Sequence, residues 1–137
     1  MLSNYFRLSA LIVADDPMFA RLMTLMLERV GFERIGIVPD LARLRGRQTY
    51  LRHDLIVADG ELATQDCSEA RIDPLLVPAA FLVVTSDRSR RFRERCARRG
   101  VDMVIHKPVS LARLASAVSS LLGGSKLKRE GHRRARD

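Results

Sequence analysis

Short apolar runs alternate along this chain with stretches whose apolar residues recur at helical spacing. Leu8 to Ala14 (LSALIVA) is a compact run that suits a buried strand. Asp16 can then cap a helix with Pro17 at its first position, where the missing N–H costs nothing. Phe19, Leu22, Met23, Met26, Leu27 and Val30 follow with helical periodicity, and Gly31 stands where a left-handed C-cap belongs. Met18, Met23 and Met26 are read as packing residues of this helix. Arg34 to Val38 predicts a second strand and Leu41 to Arg47 a short helix. Leu55 to Ala58 predicts a third strand ending at Asp59, and residues 62–72 form a weakly patterned helix closed by Asp73-Pro74. Phe81 to Val84 is a fourth strand ending at Thr85. An Arg-rich helix closes at Gly100, and Val101 to Ile105 is a fifth strand running into His106-Lys107-Pro108. Ser110 can cap a last amphipathic helix, with Leu111, Leu114, Ala115, Val118, Leu121 and Leu122 on its buried side and Gly123-Gly124 as its stop. Five strands strictly alternating with five helices predict a doubly wound α/β domain, a five-stranded parallel sheet with helices on both faces.

With 137 residues, 47% hydrophobic and 29% charged, the chain has the composition of one ordinary globular domain. The domain is expected over 1–123, with 124–137 a basic, disordered tail that has nothing to pack. No apolar run approaches the roughly 20 residues that cross a bilayer. The N-terminal segment runs into acidic residues without a cleavage site, which speaks against a signal peptide. Cys67 and Cys96 match no metal-ligand or CxxC spacing and read as free thiols of a reducing compartment, so a cytoplasmic location is expected. The net charge of +8 changes meaning once located. Residues 88–99 hold seven arginines against Glu94, and 124–137 hold six basic residues against two acids, while everything else is slightly acidic. The charge belongs to one helix and one tail.

In an open parallel sheet the carboxyl ends of the strands line one rim, so residues there are neighbours whatever their separation in sequence. The first strand ends in Asp15-Asp16, the third in Asp59, the fourth in Thr85 and the fifth in Lys107. Converging carboxylates repel unless a cation sits among them, and an all-oxygen cluster suits Mg²⁺. Asp59 could then act as a nucleophile toward a phosphoryl group. Lys107 would offset charge on its oxygens, and the Thr85 hydroxyl could donate to one of them. Each residue alone has a plainer reading: a helix cap for Asp15 or Asp16, a loop acid for Asp59, a strand-end hydroxyl for Thr85, a surface lysine for Lys107. Their joint placement at four strand ends favours the site. His53 and His106 have no partner at metal-ligand spacing and read as structural or solvated, His132 as an uninvolved tail residue, and the cysteines as ordinary thiols.

The acidic pair in VADDP, the Asp in LIVADGEL, the Thr in FLVVTSD and the Lys-Pro in IHKPVS together resemble the receiver domain of two-component response regulators. The resemblance runs from Leu8 to Leu122. It implies the flavodoxin-like strand order 2-1-3-4-5 and Asp59 as phosphoacceptor. It also implies Mg²⁺ bound by Asp16, by Asp15 largely through water, by Asp59 and by the Glu61 backbone carbonyl. Lys107, Thr85 and Ser86 would meet the phosphoryl group, with a cis peptide before Pro108. The sequence departs from the family pattern at Ala63, where Pro is usual, at Cys67, where Gly is frequent, and at Val104, where the family carries a switch aromatic.

The expected function is therefore that of a phosphorelay receiver. It would accept a phosphoryl group on Asp59 from a histidine kinase or histidine phosphotransfer protein and signal through altered protein contacts. It would not be an enzyme beyond self-phosphorylation from small donors and autodephosphorylation. The alternative is a degenerate receiver serving as a basic nucleic-acid- or protein-binding adaptor. For that reading only charge speaks. Arg88, Arg90, Arg91 and Arg95 mark a candidate surface for an acidic partner, because seven arginines in twelve residues exceed what solubility needs. A flavodoxin would need a hydroxyl- and Gly-rich phosphate loop after the first strand, and a haloacid-dehalogenase-type hydrolase its nucleophilic Asp there. Asp15-Asp16-Pro17 supplies neither.

Overall fold

The computed structural model describes residues 8–40, 53–60 and 79–124. Three strands, β1 (Ser9–Val13), β3 (Leu55–Asp59) and β4 (Ala80–Thr85), are buried along their entire length, as strands covered on both faces must be. They are flanked by β2 (Arg34–Val38) and β5 (Met103–His106), whose burial is partial. All pairings are parallel, in the order β2-β1-β3-β4-β5. The doubly wound sheet and its order are thus as expected. Three helices are described: α1 (Pro17–Val30), α2 (Arg90–Arg98) and α3 (Leu111–Val118), the last continuing as a wider π-helical turn over Ser119–Gly124.

Because strand side chains alternate between faces, the sheet has two cores. Ile12, Leu55, Val57, Leu82, Val84 and Ile105 face α1 and α3, whose Met23, Leu27, Leu114 and Val118 complete that layer. Leu11, Val13, Ile56, Ala58, Phe81 and Val83 face the other way, against Phe92 and Cys96 of α2.

The helix ends follow local chemistry. Asp16 Oδ1 accepts from the Met18 N–H at 3.0 Å, with Pro17 at the first helical position. At the far end Gly31 takes φ 125°, where its N–H donates to the Glu28 carbonyl at 3.1 Å and the Phe32 N–H to the Leu27 carbonyl at 3.0 Å. This is the paired-bond C-cap that glycine favours because it has no Cβ. Ser89 and Ser110 cap α2 and α3.

Several expectations are corrected. Met18, Leu22 and Leu111 are not core residues but stand 80%, 47% and 40% exposed. The buried stripe of α1 is Phe19, Ala20, Met23, Leu27 and Val30. Successive helical residues are about 100° apart, so Met18 and Leu22 fall beyond its edge. In α3 the row facing the sheet is Leu114, Ala117, Val118 and Leu121, which leaves Leu111 a turn outside it and brings in Ala117. Val101 belongs to the exit of α2, where its N–H donates to the Cys96 carbonyl at 3.1 Å, and β5 begins only at Met103. Gly123 and Gly124 lie within the π turn rather than after the helix. The helices expected over 41–47 and 62–72 lie outside the described residues, as do Ala63, Cys67 and 125–137.

Candidate active site

With every strand parallel, Asp59, Thr85 and His106 end three adjacent strands on one rim. The register pairs Asp59 with Val84 and Thr85 with His106. Asp59 is 4% exposed. Lys107, immediately after β5, donates its backbone N–H to the Thr85 carbonyl at 2.8 Å, which anchors the loop, and the Lys107-Pro108 peptide is cis. Its side chain turns across the rim so that Nζ lies 3.1 Å from Asp59 Oδ1. The Lys107 ammonium also sits 4.8 Å from the centre of the Phe19 ring of α1, a cation–π distance. Two unlike neighbours, one anionic and one aromatic, hold the same cation.

A cleft of about 370 Å³ opens here, lined by Asp59, Gly60, Thr85, Ser86, Asp87, Phe92 and Lys107. Gly60 is required by its width. A Cβ at that position would stand 2.5 Å from Thr85 Cβ and 2.6 Å from Thr85 Oγ1, closer than atoms can approach. Thr85 Oγ1 accepts from the Asp87 N–H at 3.0 Å, Asp87 Oδ1 accepts from the Ser89 N–H at 2.8 Å, and Ser89 Oγ accepts from the Phe92 N–H at 3.2 Å. A hydroxyl that accepts one bond keeps its own proton to donate, so Thr85 can face the cleft while tied to the start of α2. The Ser89 hydrogen bonds hold the exposed Asp87 carboxyl below its ordinary value, with the Arg95 charge adding to them.

The structure thus brings Asp59, Thr85, Ser86 and Lys107 to one cleft. Asp15 and Asp16 are exposed. Asp16 is engaged as the α1 cap, and Asp15 borders a neighbouring hollow with Arg21, Thr24, Leu25 and Ile37. Among the described residues no three of His, Cys, Asp and Glu form a ready-made metal cluster. The expected convergence of three carboxylates is therefore not preassembled, and Glu61 lies outside the described residues. The donor chemistry still fits a hard cation. β1 is the hydrogen-bonded neighbour of β3, and Mg²⁺ needs only one or two protein carboxylates because it keeps most of its waters.

Val104 is half-buried beside Val83 on the α2 face, so no ring occupies that place. On the same face His106 has a buried Nε2 without a hydrogen-bond partner, and His53 has a buried Nδ1 in the same condition. Burial also lowers the His53 pKa. Arg88, Arg90 and Arg91 are exposed and Arg95 half-buried. Cys96 packs against the sheet, and burial pushes its thiol up to about 11, which keeps it protonated and inert. Sequence reasoning missed Gly60 and Phe19. The Asp59-Gly60 pair was a legible signal of close backbone approach, whereas Phe19 looks like any core aromatic until the Lys107 side chain is placed.

No protein-family model matches the chain. A protein of Rhizobium etli named as a probable chemotaxis protein CheY is 25% identical over 124 residues, covering 88% of this chain and 96% of that one. Among solved structures, the fold is similar to the signal receiver domain of a DNA-binding response regulator from Colwellia psychrerythraea. That match has a TM-score of 0.68 at 19% identity, over 85% of this chain and 98% of that one. It is also similar to a response regulator of Burkholderia pseudomallei bearing a phosphorylated aspartic acid, a calcium ion and citrate. There the TM-score is 0.67 at 20% identity, over 89% and 72% of the two chains.

Proposed function

We propose that the chain is a receiver domain of the two-component response-regulator family, as its likeness to the Rhizobium etli protein supports, and that it accepts a phosphoryl group on Asp59 from a histidine kinase or histidine phosphotransfer protein. The observation that carries this is the Asp59–Lys107 pair at 3.1 Å, in the cleft that Thr85 and Gly60 also line. A buried carboxylate paired with a lysine and opening to a cleft is placed to attack an incoming phosphorus. One Asp59 oxygen forms the O–P bond as the P–N bond to the donor histidine breaks, and the leaving imidazole nitrogen takes a proton. Lys107 stays beside the acidic group and offsets part of the charge brought by the phosphoryl oxygens. Thr85 donates its hydroxyl proton to one of those oxygens, and Ser86 is within the same cleft to donate to another. Asp15, Asp16 and Asp59, with the Glu61 carbonyl, would hold Mg²⁺, which when bound supplies further neutralisation of the phosphoryl charge. The Burkholderia pseudomallei response regulator, with its phosphorylated aspartic acid and calcium ion, supports this chemistry by analogy of fold.

The test is mass spectrometry of the full chain after incubation with Mg²⁺ and a small phosphodonor such as acetyl phosphate. The chain should gain one phosphoryl group, and the gain should vanish in Asp59→Asn and in excess chelator. A gain that persists in Asp59→Asn would overturn the assignment.

A further inference from the structure

Local stability does not account for the charge pattern of α2. The aligned peptide dipoles favour acids in the first turn of a helix. Helix α2 has no acid there and carries Arg90 and Arg91 instead, with Arg93 next. Arg91 and Arg95, four residues apart, repel each other on the helix surface. The single acid of the helix, Glu94, is committed to Arg90 at 3.0 Å. Asp87, just before the helix, is engaged by the Ser89 N–H. Phe92 and Cys96 turn toward the sheet, and Arg91, Arg95 and Arg98 then recur at i, i+4 and i+7 as one row about 10 Å long.

The apolar surface lies elsewhere. The large hydrophobic residues exposed among those described are Met18, Leu22, Leu25, Ile37 and Leu111, on α1, β2 and the start of α3, and α2 has none. The centre of a protein–protein interface is apolar, and the arginines enriched there stand among aromatic residues and Met, none of which the outer face of α2 offers. A phosphate backbone asks for closely spaced cations without an apolar centre, and guanidinium groups bind phosphate oxygens two at a time. From this we infer that the outer face of α2 binds the phosphate backbone of nucleic acid through Arg91, Arg95 and Arg98, without reading base sequence. The surface does not depend on phosphorylation of Asp59.

The experiment uses the full chain and a fluorescein-labelled DNA duplex of about 20 base pairs of mixed sequence, followed by anisotropy between about 50 and 200 mM salt. Arg91→Gln/Arg95→Gln/Arg98→Gln is compared with Lys126→Gln/Lys128→Gln/Arg129→Gln, which removes the same charge from the C-terminal segment. The α2 variant should bind about tenfold more weakly or worse at the lowest salt, with a log–log salt slope shallower by about 2 to 3. Its far-ultraviolet circular dichroism and melting temperature should match those of the parent. A smaller loss for the C-terminal variant supports the α2 site, and an equal or larger loss overturns it in favour of general electrostatics. Failure of the parent chain to bind the duplex overturns it too. Displacement of the duplex by polyglutamate at equal charge concentration would assign the surface to an acidic protein instead.

Discussion

At the scale of single residues, the cleft depends on contacts that tolerate no extra atom. Gly60 follows Asp59 directly, and a Cβ there would meet Thr85 Cβ at 2.5 Å and its Cα at 3.1 Å. Thr85 is 4% exposed and held through its carbonyl by Lys107 and through its hydroxyl by Asp87, so it has little room to yield. Gly60→Ala should therefore cost about 1 to 3 kcal/mol, the range of overpacked cores, as measured by urea unfolding. Loss of phosphoryl acceptance should accompany it, because the clash displaces the hydroxyl beside Asp59. Unchanged stability would mean the β3 and β4 ends separate more readily than their geometry indicates. Lys107 shows the converse economy. Its side chain is about one-third exposed, and its ammonium is placed by a carboxylate and by the Phe19 ring together, so its position does not rest on an exposed ion pair, whose worth is small.

At the scale of elements, the link between the cleft and α2 is a run of short hydrogen bonds from Thr85 through Asp87 and Ser89 to Phe92. With Val104 in place of an aromatic, no ring stands at that position to swing. A change at Thr85 is therefore expected to reach the loop of Ser86, Asp87 and Arg88 first. The pH dependence of this joint follows from Asp87, whose carboxyl is held below its ordinary 3.8 by Ser89. A depressed carboxyl stabilises the folded joint above that value, and the contribution is lost as pH falls through the lower, folded-state value. The Ser89 amide resonance should therefore stay constant from neutrality down to about pH 4 and move only below it. In Asp87→Asn this step should disappear, and persistence of the step would assign it to another group. The same elements explain how α2 can carry so many arginines, since Ser89 caps it and Phe92 and Cys96 seat it on the sheet.

At the scale of the whole molecule, the sheet separates two cores, and its central strands carry both. Leu82 of β4 is fully buried within the layer shared with α1 and α3. Leu82→Ala should cost about 2 to 5 kcal/mol of unfolding free energy, the range for a leucine removed from a packed core, measured by urea denaturation. No helix among the described residues is long and apolar enough to cross a membrane. The sequence by itself determined what is local. Runs such as LIVA and FLVV must be strands buried on both faces, Asp16-Pro17 and Ser110 must open helices, and Gly31 must close one, because propensity, capping and backbone freedom act over a few residues. The alternation of these elements was enough for a parallel sheet, and with it the gathering of Asp59, Thr85 and Lys107 on one rim. Tertiary structure decided the rest, because distant segments set it. Lys107 meets Asp59 across 48 residues of chain, and Gly60 must be bare because of a threonine on the next strand. Leu22, Met18 and Leu111 fit the helical period yet face outward, since how wide a stripe a helix buries depends on the surface it packs against. The separation of Asp15 and Asp16 from a ready-made cluster with Asp59 has the same origin. Sequence shows which strand end an acid occupies, and only packing shows where its oxygens point.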